Sequence, residues 1–167
     1  MKNLNTYLIY TAFVSFLLLL VSPLRATTCA NAIPITTFPV IDQALVCGTS
    51  NHLYESTVPG NCSNVPSTYT GGKEALYTFT PSSSGFYFIS YTGQAQTSIF
   101  VYNGCPTDGG ICVRGIGSNP SSKVLAVNLT AGVTYYIWFD AWTGTLGPCP
   151  GMFSLTSSMP NDNCTGA

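Results

Sequence analysis

From Ala75 onward the sequence is divided into seven short runs rich in β-branched and aromatic residues: Ala75–Thr80, Phe86–Tyr91, Thr97–Tyr102, Ile111–Ile116, Lys123–Leu129, Val133–Phe139 and Met152–Thr156. Turn-forming clusters separate them: Pro81-Ser82-Ser83-Ser84-Gly85, Thr92-Gly93, Thr107-Asp108-Gly109-Gly110, Asn119-Pro120 and Ala131-Gly132. Short runs bounded by such punctuation read as strands joined by tight connections. No stretch beyond the N-terminal leader has helical periodicity long enough to compete. The expected fold class is all-β, a jelly-roll-like antiparallel β-sandwich. Upstream, Thr27–Gly72 is vaguer, with one or two strands expected near Ile33–Thr36 and Leu45–Cys47 and a loop through Pro59–Thr70.

The leader sets the chemical environment. Lys2 precedes an apolar run from Leu8 to Val21, followed by Ser22-Pro23-Leu24-Arg25-Ala26. A positive start, a short apolar core and a small residue at the cut mark a secretory signal peptide. The run is shorter than the roughly 20 residues a spanning helix needs, so residues 1–26 read as cleaved and the mature form as having no membrane span. Ala26-Thr27-Thr28 before Cys29 does not resemble a lipoprotein cleavage box. Export implies that the seven cysteines meet an oxidising compartment, where pairing is expected rather than metal binding.

Seven is odd, and Cys164 is the cysteine read as unpaired. Cys29-Ala30-Asn31-Ala32 and Cys164-Thr165-Gly166-Ala167 are both Cys-x-x-Ala, and Pro160-Asn161-Asp162-Asn163 reads as a linker. The organisation expected is therefore a β-sandwich module over 27–158, with 159–167 a linker and the truncated start of a second repeat. A free or intermolecular thiol on the tail is the alternative. Cys105 and Cys112 flank the Asp108-Gly109-Gly110 loop, so a hairpin disulfide is expected there, contributing about 2–3 kcal/mol in the chain-entropy model. Cys29, Cys47, Cys62 and Cys149 leave three connectivities open, of which Cys29–Cys47 with Cys62–Cys149 is favoured.

Removing 26 residues leaves 141, enough for one domain with a substantial core. That mature part keeps Lys73, Arg114 and Lys123 against Asp42, Glu55, Glu74, Asp108, Asp140 and Asp162, a formal net charge of 3 − 6 = −3. No basic patch exists to neutralise phosphates, which excludes nucleic-acid partners. Asn61-Cys62-Ser63, Asn128-Leu129-Thr130 and Asn163-Cys164-Thr165 fit the glycosylation pattern and are read as chance matches.

Catalytic chemistry finds little purchase. His52 is the single histidine, with no Gly-x-Ser-x-Gly elbow to serve, and reads as a bystander. A lone histidine beside oxidised cysteines makes zinc improbable. Glu55, Glu74, Asp108 and Asp140 could form a glycosidase-type acid pair only if folding gathers them. Glu74 reads otherwise as an exposed edge charge, and Asp108 as a turn residue. The chain is expected not to be an enzyme.

The strand Val133–Asp140 alternates between two faces. Val133, Tyr135, Ile137 and Phe139 point one way, towards the expected core. Thr134, Tyr136, Trp138 and Asp140 point the other. Tyr136, Trp138, Asp140 and nearby Trp142 form the candidate ligand-binding cluster, since flat aromatics beside polar groups suit sugars and protein surfaces. The alternative is packing: Trp138 fills a second layer and Trp142 lies over a loop near Cys149.

Gly71–Pro81 (Gly-Gly-Lys-Glu-Ala-Leu-Tyr-Thr-Phe-Thr-Pro), Ser84–Ser90, Ser98–Pro106 and Leu129–Asp140 resemble, in order and spacing, the bacterial pre-peptidase C-terminal domain and related repeat modules of secreted surface proteins. The resemblance spans about half of the mature chain. It implies a β-sandwich attached to a larger exported protein, often a protease, other hydrolase or adhesin. Some relatives bind collagen or polysaccharide, and some bind calcium through carboxylates near their start. Thr27–Gly72 offers only Asp42 and Glu55 for that role, so no cofactor is expected and calcium is not supported. The function expected is a non-catalytic binding or adhesion module for polysaccharide or matrix protein at the cell surface. The alternative is a structural spacer repeat that aids export or presentation of a neighbouring domain.

Overall fold

A computed structural model describes residues 28–53, 62, 65–144 and 147–157. The signal peptide, Glu55, Cys164 and the repeat-like tail lie outside the described residues. The architecture is a β-sandwich of two sheets, as the punctuated runs imply. The strands are β1 (Ile33–Pro34), β2 (Val40–Ala44), β3 (Ala75–Phe79), β4 (Gly85–Thr92), β5 (Thr97–Asn103), β6 (Ile111–Ser118), β7 (Ser122–Leu129), β8 (Tyr135–Ala141) and β9 (Met152–Ser157). One sheet has the order β1-β3-β8-β5-β6 and the other β2-β9-β4-β7. All pairings are antiparallel except β1 with β3.

Alternation along the strands builds the core. Tyr87, Ile89 and Tyr91 of β4, Leu125, Val127 and Leu129 of β7, and Phe153 and Leu155 of β9 point inward from the four-stranded sheet. They meet Tyr77, Phe79, Ile99, Val101, Tyr135, Ile137 and Phe139 from the five-stranded sheet. The expected inward face of β8 is therefore the observed one, with Val133 packed against it half-buried. Several tyrosines place rings in this core and hydroxyls on backbone at its rim. Tyr77 Oη accepts the Val46 N–H at 2.9 Å, Tyr135 Oη accepts the Thr130 N–H at 3.0 Å, and Tyr91 Oη donates to the Pro148 carbonyl at 2.7 Å. Each bond removes the penalty for burying a phenol.

The N-terminal region departs from its expected pattern. The strand awaited at Leu45–Cys47 lies at Val40–Ala44, pairing with β9. Asp42 adopts a positive φ of 46° at an irregularity between Val40 and Gln43, and this breaks the alternation by which a strand is recognised. The run at Ile33–Thr36 pairs over Ile33–Pro34 only, at a sheet edge where proline is tolerated.

The disulfides are Cys29–Cys105, Cys47–Cys149 and Cys62–Cys112, with Cα–Cα distances of 5.8, 6.1 and 5.4 Å. None of the expected pairs, Cys105–Cys112, Cys29–Cys47 or Cys62–Cys149, forms. The reason is geometric. Cys112 lies opposite Tyr102, its half-buried side chain packed into the cluster on the outer side of the five-stranded sheet, where Cys62 meets it. Cys105 lies beyond the end of β5, beside the N-terminal turn that carries Cys29. The β2–β9 register pairs Ala44 with Met152, and continuing it three residues brings Cys47 to Cys149.

Candidate functional site

The outer side of the five-stranded sheet is covered. Leu76 of β3, Phe100 and Tyr102 of β5 and Trp138 of β8 form a second apolar cluster with Leu53, Cys62, Val65 and Tyr69 from the preceding segment. These described residues act as a cap. It includes a 3₁₀ turn at Ser67–Thr70, within the loop expected at Pro59–Thr70. Two glycines of β6 give it room: a Cβ on Gly115 would meet Phe100 Cδ1 at 2.8 Å and Cys62 Cβ at 3.0 Å. One on Gly117 would meet Val65 Cγ1 at 2.8 Å and Tyr69 Cγ at 2.9 Å. Glycine in a strand here marks the close approach of another chain segment.

The cap decides the fate of the expected ligand-binding cluster. Trp138 is 1% exposed, its ring 4.7 Å from that of Phe100 and 6.2 Å from that of Tyr102. Asp140 is 0% exposed. Neither can meet a polymer in solution while the cap is seated. Tyr136 and Trp142 are half-buried and pack against the same cluster. Trp142 meets the ring of Tyr69 edge-on at 5.1 Å, instead of a loop near Cys149. Alternation places Trp138 and Asp140 on one face correctly, and that face is a packed layer.

Asp140 has a buried acidic neighbour. The β3–β8 pairing of Ala75 with Phe139 continues by one residue to set Glu74 opposite Asp140. Glu74 is 0% exposed, not an edge charge, because β8 flanks it and the segment carrying Gly48, His52 and Leu53 is hydrogen-bonded across it. Its Oε1 accepts the His52 N–H at 2.6 Å and its Oε2 the Leu53 N–H at 3.2 Å. Asp140 Oδ1 accepts the N–H groups of Ala141 and Gly72 at 2.6 and 3.0 Å. Burial pushes the Glu74 carboxyl up to about 7, against the pull of its two N–H donors. Burial also holds the Asp140 carboxyl well above the usual range, and the Glu74 charge adds to this. The Trp138 indole N–H lies near Asp140 and opposes that rise without making a well-formed hydrogen bond.

The outer face of the four-stranded sheet is open. Phe86, Phe88, Ser90 and Thr92 of central strand β4 point outward. Phe86 lies opposite Asn128, Phe88 between Ala126 and Thr156, Ser90 between Val124 and Ser154, and Thr92 between Ser122 and Met152. Phe86 is 56% exposed, Phe88 37%, Val124 57% and Met152 44%. These outward positions of β4, β7 and β9 carry no charge. Asp42 borders them on β2, hydrogen-bonded to Ser154. The run Phe86-Tyr87-Phe88-Ile89 is apolar on both faces, so alternation alone does not reveal which residues are outside.

Among the described residues, no three or more His, Cys, Asp or Glu side chains converge as a metal site. Asp42 stands on edge strand β2, on the opposite sheet from Glu74 and Asp140. Asp108 lies exposed in its turn, its N–H bonded to the Cys105 carbonyl at 3.1 Å. No helix among the described residues is long and apolar enough to cross a membrane.

No protein-family model and no curated protein matches the chain. Among solved structures it is similar to the Podospora anserina GH26-CBM35 β-(1,4)-mannanase, at 20% identity and a TM-score of 0.33. The match covers 77% of this chain and 27% of the mannanase chain, so the chain spans about a quarter of that protein. A likeness of that size bears on neither ligand nor activity.

Proposed function

We propose that the chain is a non-catalytic module of a secreted or surface protein that binds polysaccharide or matrix protein through the outer face of its four-stranded sheet. One observation carries the reading: Phe86, Phe88, Val124 and Met152 stand exposed among Ser, Thr and Asn on the uncharged outward positions of β4, β7 and β9. Aromatic rings stack on the apolar faces of sugars or on protein side chains, and the neighbouring hydroxyl and amide groups supply hydrogen bonds. Grouped exposed apolar residues on a sheet mark an interaction surface more often than scattered ones do. Three disulfides fit an oxidising compartment, in keeping with the N-terminal leader. The non-catalytic reading is supported by Glu74 and Asp140, an adjacent acid pair among the described residues, being sealed from solvent and so from substrate.

The spacer reading is favoured by a different observation, the burial of Trp138 and Asp140 in a structural layer. A depletion assay separates the two. The chain is mixed with insoluble polysaccharides and with collagen, with calcium and with chelator. A Phe86→Ser, Phe88→Ser double variant, which removes exposed rings and leaves the core intact, is run alongside. Retention of the parent and loss of the folded variant supports binding at this face. No retention on any matrix leaves the spacer reading standing.

A further inference from the structure

Two acids face each other where the cap meets the five-stranded sheet, and one of them holds the cap. Directly opposed cross-strand side chains lie about 5 Å apart, and like charges there repel. Neither Glu74 nor Asp140 is exposed to solvent. Burying two ionised carboxylates side by side is unfavourable, so such a pair keeps one proton between them. The titratable and charged groups around the row are few among the described residues. The cap brings His52, exposed, and Tyr69; the chain beside Glu74 brings Lys73, also exposed; β8 brings Asp140.

Glu74 is more than a neighbour of the cap. Its two oxygens take the N–H groups of His52 and Leu53, and its own carbonyl accepts the Gly48 N–H at 2.8 Å. Leu53 then inserts among Leu76, Phe100 and Trp138. On the other acid, Asp140 holds Gly72, just after the 3₁₀ turn that seats Tyr69. The two carboxyls therefore fasten both ends of the cap to the sheet, and lifting the cap is the movement that would hydrate them.

We propose that the Glu74–Asp140 pair is a pH-sensitive latch, which fastens residues 48–53 over the Trp138 face when it retains a proton and loosens them when both carboxylates ionise. The seated cap binds one more proton than the lifted cap, so raising the pH favours lifting. A carboxyl that titrates near 4.5 in water and about 7 under the cap makes the opening equilibrium rise by roughly 300-fold across that window. Opening bares Leu76, Phe100 and Trp138, while the Cys62–Cys112 disulfide keeps the far part of the segment tied to β6.

Amide hydrogen exchange at His52 and Leu53 in the full chain tests this. After correction for intrinsic rates, their opening equilibrium is expected to grow at least a hundredfold from pH 4.5 to pH 7.5. It is also expected to be insensitive to dilute urea, which marks a local opening. In a Glu74→Gln, Asp140→Asn double variant, which removes both carboxyls, the pH dependence disappears. In Asp140→Asn, a second variant should the first not fold, it persists with a lower midpoint. Acrylamide quenching of Trp138 in a Trp142→Phe background follows the same pH course in otherwise unaltered protein. Protection that does not change with pH would overturn the latch. So would exchange of these amides only through global unfolding, or a pH dependence that survives in the double variant.

Discussion

The seat of the cap on β6 makes Gly117→Ala a sharp perturbation. The added methyl would stand 2.8 Å from Val65 Cγ1 and 2.9 Å from Tyr69 Cγ, closer than carbon atoms can rest. Tyr69 is not free to swing aside. Its ring abuts Trp142, its carbonyl accepts the Ser98 hydroxyl at 2.8 Å, and its hydroxyl donates to Asn119 Oδ1 at 3.2 Å. Overpacking of this kind destabilises by about 1–3 kcal/mol. Against it stands a gain of roughly 0.4–1 kcal/mol, because alanine narrows the unfolded ensemble. The net expectation is a loss of about 1–2 kcal/mol, or a fall in Tm of roughly 3–10 °C for a domain of this size. Thermal and urea unfolding followed by circular dichroism measure it, with exposed Ser82→Ala expected to stay within about 0.5 kcal/mol of the parent. Gly117→Ala that matches or exceeds the parent in stability would refute a cap packed on this strand.

Other expectations follow from the same packing. Glu74, with its carboxyl raised from 4.5 to about 7 in the fold, contributes stability that is complete below pH 4.5 and is lost as pH rises to about 7; the folded state holds the extra proton across that window. Lys123 acts in the opposite sense: burial lowers its amine from 10.5 to about 8, so the unfolded chain holds the extra proton and stability climbs as pH rises from 8 towards 10.5. Urea midpoints taken from pH 4 to 10 are thus expected to pass through a minimum near pH 7–8, and a maximum there would contradict both assignments. Tryptic and chymotryptic peptides of the unreduced protein are expected to carry Cys29–Cys105, Cys47–Cys149 and Cys62–Cys112, and a Cys105–Cys112 peptide would contradict the fold. Replacing Cys62 and Cys112 together by serine opens a covalent tie across 50 residues and is expected to lower stability by about 4 kcal/mol on chain entropy, measured by the same unfolding curves.

What could be read in advance divides along physical lines. The seven runs from Ala75 onward became β3 to β9 with ends moved by one or two residues, because strand alternation and turn residues are local properties. The inward face of β8 was legible for the same reason. The cap was not, since Leu53, Val65 and Tyr69 have no common period and find their places only against Phe100 and Trp138, distant in sequence. One signal did exist. Gly115-Ile116-Gly117 puts two glycines on one face of a strand, which argues for something lying across it. The disulfides failed on loop reasoning because register and facing, rather than closeness in sequence, decided which sulfurs met. The open face escaped because Phe86-Tyr87-Phe88-Ile89 has no polar residue to mark the outside.

The proposed role rests on the outward residues of β4, and ¹⁵N amide shifts of the chain titrated with soluble fragments of the polymer that retains it would test it most directly. The account predicts shifts centred on Phe86, Phe88, Val124, Ala126 and Thr156, with the residues around Trp138 and Trp142 unmoved. Shifts centred on Trp142 and the cap, with β4 silent, would contradict it and return the binding surface to the face that the cap covers.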